Sequence, residues 1–216
     1  MTKQDLKSNA RKILGPVVST LDAMRVSPFL ISVFGLAFSI YGAIVVGGGA
    51  LFQGAVFLLL SGLCDVIDGD LARRRNLVSK FGAFIDSTFD RVTEFAYFTG
   101  ILFLTINRSG GFYDWQVIVI MIALAGSVLT SYARARAEGL GISCTVGVME
   151  RPERIALLLL GLLLGYRILM AVMTILAVTS VFTFIQRVVH VNRMAEAEAG
   201  NDDSAATAAP PASRNS

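Results

Sequence analysis

The sequence predicts an all-α, polytopic membrane protein: six transmembrane helices preceded by an amphipathic helix lying at the membrane surface. Three observations carry this. Of 216 residues, 54% are hydrophobic and 16% charged, with mean hydropathy +0.65, more apolar side chain than a soluble domain of this length buries. Six apolar stretches recur along the chain, most of them near the roughly 20 residues that cross a hydrocarbon core as helix. The 19 Lys and Arg residues fall almost wholly into alternate connections.

The elements follow in chain order. Over residues 4–24, Leu6, Ile13, Leu14, Val17, Val18 and Leu21 are set against Lys7, Arg11, Lys12 and Asp22 at helical spacing, the pattern of a basic interfacial helix over residues 1–25. The same stretch lacks a continuous apolar segment ending in small residues, so it does not read as a cleavable signal peptide. The predicted spans are Pro28 to Val46, Ala50 to Arg73, Phe81 to Ile106, Asp114 to Arg134, Pro152 to Tyr166, which is short, and Ile168 to Val191. From Ala195 the composition turns to Glu, Ala, Asp, Ser and Pro, which predicts a disordered tail over 195–216 behind one membrane domain over 1–194.

Between the first two spans lies Gly47-Gly48-Gly49, without charge, and the other connections of that side add only Arg108 and Arg167. The opposite side holds Lys3, Lys7, Arg11, Lys12 and Arg25, then Arg73, Arg74, Arg75 and Lys80, then Arg134, Arg136, Arg151 and Arg154, then Arg193. Positive residues in short loops stay inside, so both termini are predicted to be cytoplasmic, in the cell membrane. The net charge of +3 reflects that basic inner face and implies no nucleic-acid partner. Cys64 and Cys144 form neither a CxxC pair nor a disulfide framework, and His190 reads as an interfacial polar residue.

Against this background four acids stand out: Asp65 with Asp68 in the second span, and Asp86 with Asp90 in the third. An ionised Asp at the centre of a spanning helix costs roughly 2.5 to 3.5 kcal/mol, which makes an intramembrane acid cluster a functional-site hypothesis. Spacings of three and four put each pair on one helix face. The connection from Arg74 to Lys80 is short, so the two helices are antiparallel neighbours. At 1.5 Å per residue, all four acids lie roughly 7 to 15 Å below the cytoplasmic boundary. Facing carboxylates form a hard oxygen site for Mg²⁺, Mn²⁺ or Ca²⁺, and four acids exceed the charge of one such ion, which predicts two. Gly69, Ala72 and Gly82 present minimal side chains nearby, serving either close approach of a ligand or tight helix packing.

Together these positions read Asp-x2-Asp-Gly-x2-Ala-Arg-x8-Gly-x3-Asp-x3-Asp, from Asp65 to Asp90, and this resembles the signature of the CDP-alcohol phosphotransferase family, with all eight fixed positions present. The six spans and the amphipathic leader also resemble that family. The resemblance implies that Asp65, Asp68, Asp86 and Asp90 bind two metal ions, with Asp90 also the general base. It implies that Gly69, Ala72, Arg73 and Gly82 hold the CDP moiety, and that the chain forms a homodimer. The implied reaction is attack of an acceptor hydroxyl on the β-phosphate of CDP-diacylglycerol or CDP-archaeol, with CMP leaving.

The acceptor is read from Ser131 to Arg154, which holds four arginines. Clustered guanidinium groups suit a phosphate dianion, favouring a phosphorylated acceptor over free serine, choline or ethanolamine; the same arginines are also explained as inner-face charges paired with Glu138, Glu150 and Glu153. The Ser-Tyr-x-Arg-Ala-Arg-Ala-Glu and Glu-Arg-Pro-Glu-Arg segments resemble the prokaryotic phosphatidylinositol phosphate and archaetidylinositol phosphate synthase branch of the family. By that likeness Arg134, Arg154 and Arg187 bind the phosphate of an inositol phosphate, with Arg136 and Arg151 as second choices. Glycerol 3-phosphate is the alternative acceptor. Outside the enzyme class stands a divalent-cation transporter, although its site would more naturally sit at the midplane between two related halves.

Overall fold

The computed structural model describes residues 14–109 and 114–208; the basic half of the predicted leader lies outside them. The described residues form seven helices and no strand: α1 (14–23), α2 (Pro28–Gly47), α3 (Leu51–Arg74), α4 (Lys80–Ser109), α5 (Trp115–Gly139), α6 (Arg151–Leu164) and α7 (Tyr166–Ala208). Each predicted span is thus a helix. Four of them, α2, α3, α5 and α7, are long and apolar enough to cross a membrane. The other two miss for separate reasons. α4 carries Asp86, Asp90, Arg91 and Glu94 in its first half, and α6 has 14 residues, about 21 Å of helix against a hydrocarbon core of about 30 Å.

Local chemistry sets the boundaries. Pro28 opens α2 in the first turn, where its missing N–H is not needed. Beyond the C-cap of α3 the chain turns at Asn76, whose φ of 53° is the left-handed conformation asparagine tolerates, with Leu77 N donating to Ala72 O at 2.9 Å. The hydroxyl of Ser79 accepts from Gly82 N at 3.0 Å and starts α4, and the carboxylate of Asp114 accepts from Gln116 N at 2.9 Å and starts α5. A reciprocal capping box between Glu150 and Glu153 starts α6, with Pro152 in its first turn. α7 runs on to Ala208, through the segment whose composition predicts disorder, because Ala and Glu are strong helix formers.

Short connections make the helices run alternately up and down. The start of α2, the end of α3, the starts of α4 and α6 and the end of α5 meet at one end of the bundle. The exterior is apolar, with Phe29, Phe34, Ile44, Phe52, Phe103 and Phe182 all exposed, as a lipid-facing surface requires. Lipid offers no hydrophobic drive for helices to associate, so close backbone approach must supply the contact energy. Gly42 and Gly100 do so: a Cβ on Gly42 would lie 2.1 Å from Tyr97 Oη, and one on Gly100 would lie 2.2 Å from Ala43 O. Tyr97, fully buried, donates to Gly54 O at 2.8 Å, so α4 is pinned to α3 as well.

α1 packs through Val18 against Ile31 and Leu71. Arg75, just beyond α3, caps it. Its Nε donates to Asp22 Oδ1 at 2.6 Å, and its other nitrogens donate to the carbonyls of Val26 at 2.8 Å, Asp22 at 2.7 Å and Leu21 at 3.3 Å. A cation on the free carbonyls of a helix C-terminus also complements the dipole.

Candidate active site

The three-residue and four-residue spacings on α3 and α4 do bring the acids together. Asp65, Asp86 and Asp90 each place a carboxylate oxygen within 4.8 Å of the other two. Asp68 lines the same cavity, one turn nearer the end of α3, and accepts a hydrogen bond from Ser32 Oγ of α2. The cavity measures about 180 Å³. Its polar wall is Ser32, Ser61, Thr93, Arg151 and the four acids, and its apolar wall is Leu36, Leu58, Phe89 and Ile155. Three like charges this close are unfavourable alone and well placed to share a cation, and an all-oxygen donor set suits a hard divalent ion.

Arg134 of α5, Arg151 and Arg154 of α6 and Arg187 of α7 sit at the same end of the bundle, each already engaged. Arg151 forms an ion pair with Asp90. Arg154 grips Glu94 with two hydrogen bonds, Nε to Oε1 at 2.8 Å and Nη2 to Oε2 at 3.2 Å, and both side chains are only 5% exposed. Arg187 is buried and donates to Thr130 O at 2.6 Å and Val146 O at 3.0 Å. Arg134 pairs with Glu138 at 2.8 Å across one turn of α5, half exposed, which lowers the worth of that pair. Arg134, Arg154 and Arg187, the three arginines expected at an acceptor phosphate, thus stand on α5, α6 and α7 and hold separate partners. Arg136 points to the exterior.

Gly69, Ala72, Arg73 and Gly82 do not line the acid cavity; they lie beyond it, toward the end of the bundle. An added Cβ on Gly69 would meet, as its nearest neighbour, the Arg73 guanidinium at 3.3 Å, and one on Gly82 would meet only Ser79 Oγ at 3.3 Å. Gly82 is exposed, whereas Gly69 is half-buried with the Arg73 guanidinium over it. Arg73 donates to Asp70 Oδ1 at 2.6 Å.

Two participants escape sequence reasoning. Ser32 reaches Asp68 from a helix 36 residues away, which no spacing rule links. Glu94 had a visible signal, since Asp86, Asp90 and Glu94 follow one another at four-residue steps on one face of α4. Its partner, Arg154, is 60 residues distant, so no spacing rule links the two.

Residues 25–191 match the family model described as CDP-alcohol phosphatidyltransferase. The chain is similar to an archaetidylinositol phosphate synthase of Methanothermobacter thermautotrophicus, 44% identical over 147 residues, covering 66% of this chain and 71% of that protein. It is similar to a phosphatidylinositol phosphate synthase of Mycobacteroides abscessus, 34% identical over 182 residues and 82% of each chain. Among solved structures it resembles the Mycobacterium tuberculosis phosphatidylinositol phosphate synthase with CDP-DAG bound, at TM-score 0.77 and 33% identity, covering 83% of this chain and 94% of that one. The same enzyme in complex with manganese and citrate matches at TM-score 0.73 and 34% identity, over 82% and 87%.

Proposed function

The chain belongs to the CDP-alcohol phosphatidyltransferase family, and from that premise we propose that it transfers a phosphatidyl-type group, diacylglycerol or archaeol phosphate, from a CDP-linked lipid to a hydroxyl of inositol phosphate, releasing CMP. The observation that carries the proposal is the cluster of Asp65, Asp86 and Asp90, with oxygens within 4.8 Å, in one cavity with Arg151 of α6.

Asp90 takes the proton of the acceptor hydroxyl, and the freed oxygen forms a bond to the β-phosphorus. The bond from that phosphorus to the oxygen of CMP breaks, and CMP leaves with the electron pair. Asp65, Asp68, Asp86 and Asp90 would hold two divalent ions, Mg²⁺ or Mn²⁺, whose contribution when bound is to neutralise phosphate charge and stabilise the leaving oxygen. Gly69, Ala72, Arg73 and Gly82 would receive the CDP moiety, and Arg134, Arg154 and Arg187 the acceptor phosphate. Manganese in the complex of the Mycobacterium tuberculosis relative supports a divalent requirement.

The same reading makes α2 through α7 six spans of one membrane domain over 1–194, with α1 at the inner surface, both termini cytoplasmic and the acids opening toward the cytoplasm of the cell membrane. A homodimer completes it, and native mass measurement in nanodiscs that finds monomer alone would refute that part.

The deciding experiment is CMP release from CDP-diacylglycerol and from CDP-archaeol by purified protein with Mg²⁺ or Mn²⁺. Inositol phosphate, glycerol 3-phosphate, free inositol and serine are compared, with Asp90→Asn as control. We expect release with inositol phosphate and a loss of about 10² or more in Asp90→Asn. Release with glycerol 3-phosphate alone would keep the chemistry and discard the acceptor. Silence with every acceptor would discard the reading.

A further inference from the structure

We propose that Arg151 is an exchangeable counter-ion, holding Asp90 while the acid cluster carries no cation and passing to a phosphate oxygen of a substrate when a divalent cation takes Asp90. The inference rests on the divalent-cation reading of the cluster. Two ion pairs join α4 to α6 as consecutive rungs: Asp90 with Arg151, and Glu94 with Arg154. The spacings, four on α4 and three on α6, put both rungs on facing helix surfaces.

The rungs differ in one respect that decides what each can do. Glu94 and Arg154 are each 5% exposed and doubly hydrogen-bonded, so parting them would strand two buried charges. That rung is fixed, and it sets the register of α6 against α4. Arg151 and Asp90 are 32% and 17% exposed and line the cavity that Asp65 and Asp86 share. Water reaches them, so their separation carries no such penalty. Arg151 Nε is buried without a hydrogen-bond partner, so the guanidinium is only partly satisfied where it rests. The capping box at Glu150 and Glu153 holds the backbone of this turn, which leaves the side chain as the moving part. A carboxylate cannot give the same oxygen fully to a guanidinium and to a cation. Binding of the cation therefore frees a guanidinium inside the cavity, where a phosphate is the group it fits. Acceptor phosphate and donor diphosphate share that chemistry.

The test titrates Mn²⁺ into the full chain in nanodiscs without substrate, read by electron paramagnetic resonance. Arg151→Gln and Arg151→Met remove the competing charge, so Mn²⁺ should bind about fivefold tighter, while Arg151→Lys should bind like the parent. Two neutral variants guard against one failing to fold. In steady state the same variants should raise KM for one substrate more than they lower kcat. A rise for inositol phosphate places Arg151 on the acceptor, and a rise for the CDP-lipid places it on the donor. Unchanged or weaker Mn²⁺ binding in the neutral variants, or unchanged KM for both substrates, would overturn the exchange while leaving the cation site standing. No Mn²⁺ binding by the parent, or undiminished binding by Asp86→Asn, would overturn the cation reading and the exchange with it.

Discussion

Glu94 and Arg154 carry opposite charges into the interior of an apolar bundle, and the free energy of that placement hangs on each having the other. Taking either ion out of water costs several kcal/mol, offset by mutual attraction and by the two hydrogen bonds. Arg154→Met should therefore destabilise the protein by about 3 to 5 kcal/mol, since it leaves a buried carboxylate unpaired. Glu94→Gln combined with Arg154→Met should lose less than Arg154→Met alone, because no uncompensated charge remains. Thermal unfolding of the variants in one detergent checks both; an additive double variant would show that the pair contributes nothing as a pair. The four Asp residues were legible because a helix converts spacings of three and four into shared faces, and because an acid at membrane depth has few structural uses. The partner of Arg154 was not, since helix periodicity relates residues within a helix and is silent about which face meets which. Four arginines near Glu138, Glu150 and Glu153 read as one basic patch. In the fold Arg154 is neutralised by Glu94, Arg134 by Glu138 and Arg151 by Asp90, while Arg136 is exposed; Arg187, from α7, spends its hydrogen bonds on carbonyls.

Helices are held at their spacing by different means on different faces. α2 meets α4 where Gly42 faces Tyr97 and Gly100 faces Ala43, with backbone nearly touching backbone. Gly100→Ala places a methyl group 2.2 Å from a carbonyl oxygen that belongs to another helix and cannot rotate away. The helices must part, at a cost of about 1 to 3 kcal/mol. Gly139→Ala, in the last turn of α5 with nothing within 4 Å, should be neutral or slightly stabilising through helix propensity. Melting temperatures of the two variants under identical conditions are the measurement, and a Gly100→Ala protein as stable as Gly139→Ala would mean the contact is slack. Where the helices lie was written in runs of apolar residues, and where they start in Pro28, Ser79, Asp114 and the Glu150 to Glu153 box. Two features were harder to see. α4 falls short of a span by hydropathy because charged residues interrupt its first half, although the apolar stretch from Phe81 to Ile106 marked its helix. α7 outruns its apolar stretch because helix propensity in Ala and Glu continues after hydropathy ends.

At the scale of the whole molecule, the up-and-down order of the helices sorts the chemistry to one end. Ser32, Asp68, Asp90, Arg151, Arg134 and Arg187 come from six helices, yet all lie toward the end of the bundle that holds the 75–79 and 140–150 connections. The opposite end holds Arg108 stacked over Tyr166, 4.5 Å from its ring centroid, and the Tyr166 hydroxyl hydrogen-bonded with Gln116 at 2.7 Å. This asymmetry matches the distribution of basic residues, and the two together support the proposed orientation, with the basic, acid-lined end on the cytoplasmic side, where a water-soluble acceptor and CMP can come and go. Single cysteines report it. Gly48→Cys lies in the connection from α2 to α3, with φ of −77° that any residue adopts, and Val78→Cys lies in the connection from α3 to α4, where the native side chain is 73% exposed. In intact cells a membrane-impermeant maleimide should label Gly48→Cys and spare Val78→Cys until the membrane is opened. The unsubstituted chain, whose Cys144 is buried and Cys64 half-buried, sets the background. Labelling of Val78→Cys alone would invert the molecule and put its acids outside, where no nucleotide-linked lipid is made, and labelling of both from outside would require that α3 not cross at all.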